Sequence, residues 1–386
     1  MIRHKKNSIF IMWVIERIRP LSSLKIRLKT FLNRNNIIKF RQLFYLLAFF
    51  LILSCKKNDN NTSIVPPIDT IPVKPIPASF AKGADISWLT QMEASSYSFY
   101  DSTGAKMDCM LILKSLGMNA IRLRAWVNPS DGWCNTADLV TKAVRANNLG
   151  FKIMIDFHYS DVWADPGHQT KPSAWAGLDF TSLTDSVYSY TKQVMDTLKT
   201  NGINPVWVQV GNETNDGMLW EDGRASTNML QFATLINAGY QAVKDVNDST
   251  KVIIHISNGF DNTLFRWMFD GLTSNGAKFD IIGMSIYPST TNWQSLDAQC
   301  LVNMNDMVSR YDKPVMISEI GMDVTAPSAC RSFIADIISK TNSLPSGKGL
   351  GVFYWEPESY NWQGYTLGAF DNNGKPTPAL YGFSDK

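Results

Sequence analysis

Beyond residue 80 the chain alternates between two hydrophobic periods, and that alternation predicts its architecture. Short runs rich in β-branched and aromatic residues fall at 83–87, 120–126, 152–158, 206–211, 251–257, 280–285, 314–319 and 350–355. All have the length of a β-strand. Between them lie stretches whose apolar positions recur three and four apart, at 108–116, 136–149, 182–200, 227–246 and 296–311. Several of these close on the Asn or Gly that ends helices. Strand followed by helix, repeated, is the pattern of parallel βα units, and eight strands is the number that closes a barrel. The prediction is α/β: a single (β/α)8 TIM barrel over 81–386. A doubly wound open sheet would also use parallel strands, but it usually has fewer, and no Gly-x-Gly-x-x-Gly loop follows the first run.

The segment before residue 81 has neither period. A basic extension leads into an apolar run at 42–54, ended by Cys55. The run is too short for a comfortable membrane span of about 20 residues, and it reads as the core of a signal peptide. Ile52-Leu53-Ser54-Cys55 resembles a bacterial lipobox, which implies lipidation of Cys55. Residues 56–80 hold Asn, Asp and Thr, then Pro66, Pro67, Pro72, Pro75 and Pro77, a composition that buries no core and favours extended backbone. The expected organisation is therefore a basic extension and signal peptide at 1–54, a lipidated N-terminus and disordered Pro/Asn-rich linker at 55–80, and the barrel at 81–386. This describes a secreted lipoprotein of the outer membrane or cell surface of a Gram-negative, Bacteroidetes-like bacterium, touching membrane only through its anchor. A plain membrane-anchoring helix is the alternative.

Charge narrows the partners. The formal net charge is +3, yet residues 1–41 carry eleven of the 37 Lys and Arg and one of the 34 Asp and Glu, which leaves 26 against 33 in the remainder. A mildly acidic body without a basic stripe excludes nucleic acid, which needs clustered cations to neutralise phosphates. Twelve Trp, thirteen Tyr and twenty Phe make a heavy aromatic load; exposed indole faces suit the apolar faces of sugar rings, whereas most such rings serve as core. After Cys55 there are four cysteines, Cys109, Cys134, Cys300 and Cys330. Pairing of Cys300 with Cys330, at the start of successive barrel helices, and four buried free thiols both remain open. No Cys-x-x-Cys or His cluster suggests zinc.

Catalytic groups of such barrels stand at the C-terminal ends of the strands. There the fourth run leads into Gly211-Asn212-Glu213 and the seventh ends in Ser318-Glu319. Two carboxyl groups on one rim are what glycoside hydrolysis requires, one as proton donor and one as nucleophile. Arg122 and Arg124 on the second run, Asp156 and His158 at the end of the third, Tyr287 after the sixth and Trp355 at the end of the eighth complete the rim. They are candidates for binding sugar hydroxyls or holding the nucleophile ionised. A structural ion pair is the other reading for the arginines, and a supporting role behind the site for His158.

Longer segments carry a resemblance. Asp156-Phe-His-Tyr-Ser-Asp-Val-Trp-Ala-Asp-Pro-Gly167, Trp207-Val-Gln-Val-Gly-Asn-Glu213, Gly283-Met-Ser-Ile-Tyr-Pro288 and Gly351-Val-Phe-Tyr-Trp-Glu-Pro-Glu358 resemble the endo-β-1,4-galactanases of glycoside hydrolase family 53, and the likeness spans 81–384. The resemblance implies a retaining enzyme acting on galactan side chains of pectin, with Glu213 as acid/base, Glu319 as nucleophile, Asn212 on the sugar 2-hydroxyl, and Trp355 and Trp362 stacking galactose rings. No cofactor and a monomer are expected. Some bacterial relatives carry an acidic calcium loop after the seventh strand; here residues 321–329 offer only Asp323, so no metal is expected there, and 371–374 reads as a tight turn. Rival readings are a related β-glycanase acting on mannan, xylan or glucan, and a glycan-binding lipoprotein with an inactive barrel.

Overall fold

The computed structural model describes residues 76, 77 and 79–385. The expected signal peptide, Cys55 and nearly all of the linker lie outside the described residues. Eight parallel strands close a barrel in chain order: β1 Ala81–Asp85, β2 Ala120–Ala125, β3 Lys152–Phe157, β4 Trp207–Val210, β5 Lys251–Ile256, β6 Ile281–Ile286, β7 Val315–Ile320 and β8 Gly349–Trp355. The helices are α1 Leu89–Ala94, α2 Cys109–Ser115, α3 Thr136–Asn148, α4 Phe180–Thr200, α5 Ala225–Val246, α6 Asn262–Ser274, α7 Trp293–Tyr311 and α8 Pro327–Ser343. Among the described residues no helix is long and apolar enough to cross a membrane.

Local chemistry explains the boundaries. Strand β1 sits two residues earlier than its sequence run because the Asp85 carboxylate accepts the Ser87 N–H at 3.0 Å and its hydroxyl at 2.5 Å, folding the chain out of the sheet. Asp108, Asn135, Asp179 and Asp261 cap α2, α3, α4 and α6 with side-chain oxygens, each worth about 1 kcal/mol. The alternation of each strand sends one set of side chains outward, against the helices, and the other into the barrel.

The inward set is layered. One residue from each strand, Ala81, Ala120, Met154, Trp207, Ile253, Ile281, Met316 and Phe353, forms an apolar ring that fills the lower barrel. Two residues further along the strands the inward set turns polar: Arg122, Asp156, Gln209 and His255 are all fully buried. Glycine at 83 leaves room for the Phe353 ring of the layer below, since a Cβ there would lie 2.2 Å from it.

The four cysteines are free and buried. Neither Cys300 nor Cys330 pairs: α7 begins at Trp293, so Cys300 lies more than a turn inside it, and the Cys330 sulfur meets the Tyr354 hydroxyl at 3.6 Å. Residues 371–374 do form a turn, closed by Gly374 N–H to Asp371 O at 2.9 Å with Gly374 at φ 73°.

Candidate active site

Arg122 organises the barrel mouth. Its Nη1 lies 2.7 Å from Asp85, its Nη2 lies 2.8 Å from Asp156 and 2.7 Å from Glu319. The Nε donates to Gln209 at 2.7 Å and Nη2 also donates to Asn212 Oδ1 at 2.9 Å. Burial works against the guanidinium charge, but Asp156, Glu319 and Asp85 outweigh it and hold the group cationic. The same pairing keeps the buried Asp156 below the usual carboxylate range.

Glu319 reaches this guanidinium through an irregularity in β7. The register against β6 runs Met284 to Ile317 and then Ser285 to Glu319, skipping Ser318. Such a bulge changes which side chain faces in. The inward parity that began at Met316 continues at Ser318, whose hydroxyl lies 2.9 Å from where a Cβ on Gly283 would sit; the extra residue brings Glu319 to the mouth as well. There Oε1 takes Arg122 and Oε2 accepts the Tyr287 hydroxyl at 2.8 Å.

Glu213 is delivered by a reversal after β4. Gly211 has φ 88° and Glu213 φ 43°; a Cβ on Gly211 would sit 2.6 Å from the Thr214 methyl, so the turn needs glycine. The Thr214 N–H anchors it to the His255 carbonyl at 2.8 Å, and Asn212 is locked by Arg122 and by its own Nδ2 donating to Ala164 O at 2.8 Å.

Together Glu213, Glu319, Asn212, His158, Tyr287 and Trp355 line one cleft of about 310 Å³ with Trp163, Ala164, Asp165, Tyr365 and Leu367. Burial pushes the Glu213 carboxyl up to about 8, reinforced by the nearby negative charge of Glu319. Burial also raises Glu319, to about 7, against the pull of Arg122. The two carboxyls titrate as a pair, and Glu319 has the cation and the phenol beside it, both of which favour its ionised form.

The other candidates divide. His158 donates from Nε2 to Asp156 at 3.0 Å while its Nδ1 accepts from Trp126 Nε1 at 3.3 Å and Ala164 N–H at 3.0 Å; burial lowers its basicity, so the ring is neutral. Arg124 leaves the cleft wall altogether: it pairs with Glu356 at 3.3 Å and lies 4.0 Å from the Trp163 ring centroid and 4.8 Å from that of Trp126. Arg122 and Asp156, expected as possible sugar contacts, are fully buried beneath the cleft. Trp362 also stands apart, 8 % exposed and edge-on to Tyr97 at 5.2 Å, because the chain after β8 turns its ring onto the β1 side of the domain. Trp163, Trp355 and Tyr365 instead form the aromatic wall, with Trp355 and Tyr365 centroids 4.9 Å apart and the buried Trp88 packed on Trp355 at 5.1 Å.

Trp163 and Asp165 lie in a segment whose motif was legible, although the motif did not mark them as cleft residues. Tyr365 and Leu367 come from a loop without periodicity, which gives no signal. Among the described residues no group of three or more His, Cys, Asp or Glu is arranged to hold a metal ion. Asp323 accepts from Thr325 N–H at 2.9 Å and Thr325 Oγ1 at 2.6 Å, closing its own loop.

The glycosyl hydrolase family 53 model matches residues 81–383. The chain belongs to this family. It is therefore a glycoside hydrolase. Arabinogalactan endo-β-1,4-galactanase A of Aspergillus niger is 34% identical over 311 residues, which span 75% of this chain and 88% of the relative. A solved family 53 catalytic domain from Ignisphaera aggregans is 32% identical with a TM-score of 0.74, over 81% of this hydrolase and 97% of that chain. A fungal β-1,4-galactanase structure is 29% identical with the same TM-score of 0.74, over 79% and 99% of the two chains.

Proposed function

We propose that this hydrolase is an endo-acting β-1,4-galactanase that cleaves galactan and type I arabinogalactan by a retaining double displacement. The observation that carries the reaction is the asymmetry of the two cleft carboxyls: Glu319 held by Arg122 and Tyr287, Glu213 buried without such a pairing and raised by that burial. Retaining chemistry places such groups about 5–5.5 Å apart. Glu213 gives its proton to the glycosidic oxygen as Glu319 attacks the anomeric carbon, breaking the C–O bond and forming a glycosyl ester. Glu213, now ionised, takes a proton from water, which attacks the same carbon and releases Glu319. Tyr287 and Arg122 stabilise the nucleophile before attack and as the departing carboxylate. Asn212, whose Oδ1 and Nδ2 are both fixed, is placed to meet the sugar beside the acid.

The galactan assignment is supported by the relatives' activities, and the cleft's aromatic wall suits the apolar faces of galactose rings. Reducing-sugar release should be at least tenfold faster on linear potato galactan than on mannan, xylan or mixed glucan, with the β-anomer formed first by proton NMR. Activity confined to one of the other polymers would remove the substrate assignment, and initial release of the α-anomer would remove the mechanism.

A further inference from the structure

The catalytic cycle above leaves one buried amide close to the acid unused. Gln169, between β3 and α4, is buried, and its Nε2 donates to Asn212 O at 2.8 Å and to Asp165 O at 3.1 Å. Both partners are backbone carbonyls, which can only accept, so the amide nitrogen must face them and both of its hydrogens are committed. Its Oε1 is buried with no hydrogen-bond partner among the described residues. An orphaned buried acceptor costs about 1–3 kcal/mol, a cost that an apolar side chain of the same shape would avoid. Stability alone does not account for an amide here.

The two carbonyls belong to segments that must meet at the cleft. Asp165 lines it from the loop after β3, and Asn212 immediately precedes Glu213. The peptide unit joining Asn212 to Glu213 is held at both ends: its carbonyl accepts from Gln169, and its N–H is directed at His255 Nδ1 from 3.4 Å. That hold matters because Glu213 has φ 43°, a left-handed backbone that costs a residue bearing a Cβ about 1–2 kcal/mol. Such strain persists only where the surroundings over-determine it. Turning this peptide over would relieve Glu213 and re-aim its carboxyl. Gln169 is itself braced, since its own carbonyl accepts the Trp220 N–H at 2.8 Å from the loop after β4, and the nearby Lys171 pairs with Asp222 of the same loop. Asn212 Nδ2 donates back to Ala164 O at 2.8 Å, so the loops after β3 and β4 are cross-tied at the residue before the acid.

We propose that Gln169 is a positioning residue for the acid/base: its amide fixes the Asn212–Glu213 peptide and so holds Glu213 in the strained conformation that aims its carboxyl into the cleft. The inference rests on the reading of Glu213 as acid/base. Gln169 is not among the residues that line the cleft; it acts through the backbone of its neighbour.

The test compares kcat/KM on two substrates, linear galactan, whose leaving group needs a proton, and a nitrophenyl β-galactobioside, whose leaving group departs without one. Gln169→Met keeps the shape and removes both donors. It should lower kcat/KM on galactan by about 10- to 100-fold and on the nitrophenyl substrate by less than about threefold, with a thermal midpoint near that of the parent. Gln169→Glu, whose carboxylate has no hydrogen for either carbonyl, should show the same split between substrates. An equal loss on both substrates would mark a general disturbance of the cleft, and full galactan activity in both variants would show that the peptide holds itself; either overturns the proposal. Glu213→Ala separates the two readings. If it hydrolyses galactan at the natural rate, the acid/base reading fails and the positioning role with it. If Glu213→Ala shows the split while both Gln169 variants do not, the acid/base reading stands and only the positioning role fails.

Discussion

The lower and upper halves of the barrel interior are built on the same eight strands and the same alternation, yet they obey opposite rules. The lower ring, from Ala81 to Phe353, is apolar throughout and needs nothing but shape. The upper level buries Asp85, Arg122, Asp156, Gln209 and His255, none with access to water. Burying a charge costs several kcal/mol unless it is paired and hydrogen-bonded, so the upper half is held by partner-for-partner matching. The contrast shows where stability and chemistry separate: the floor excludes water by packing, and the mouth uses that dryness to make each remaining charge strong.

The comparison can be broken from either side. The largest effect is expected at the mouth, where Glu319→Ala should lower turnover on galactan by about four orders of magnitude or more while leaving the fold intact. Added azide should partly restore cleavage of an activated galactoside and yield a glycosyl azide of inverted configuration; galactan turnover near the natural rate would remove Glu319 from the mechanism. Next comes Arg122→Met, which strands Asp85, Asp156 and Glu319 without a cation and should cost about 3–5 kcal/mol in urea denaturation, together with activity. Wild-type stability in that variant would mean that the carboxylates are held by something other than the guanidinium. The smallest is Ile253→Val in the floor, expected to cost about 1 kcal/mol with the pH profile of kcat/KM unchanged. A displaced profile there would show that floor and mouth are not separable.

The sequence disclosed the strands more readily than the pairings. Eight runs of strand length were visible because fully inward and outward faces of a barrel are both apolar or specifically polar, and period and length survive without any knowledge of neighbours. Glu213 and Glu319 were visible because both close such runs. Arg122 and Arg124 were not separable: they share one strand and one face, and only the three-dimensional surroundings send the first to Glu319 and the second between Trp126 and Trp163. The inward turn of Glu319 was hidden for a sharper reason. Counting in twos from Met316 lands on Ser318, and nothing in the residues of β7 announces the extra step against β6. His255 escaped notice because an isolated histidine in a strand gives no pattern, and Trp362 was overvalued because exposure cannot be read from residue type.

That extra step has a consequence for how the site can vary. Substitution alters what a position carries, but here the position itself is fixed by an odd tally of residues along one strand. With regular pleating and no extra step, 318 would be the last inward position and the carboxyl at 319 would swing toward the surrounding helices, with no change of amino acid there able to bring it back. The carboxyl proposed as nucleophile is therefore tied to the register of its strand as firmly as to its own identity.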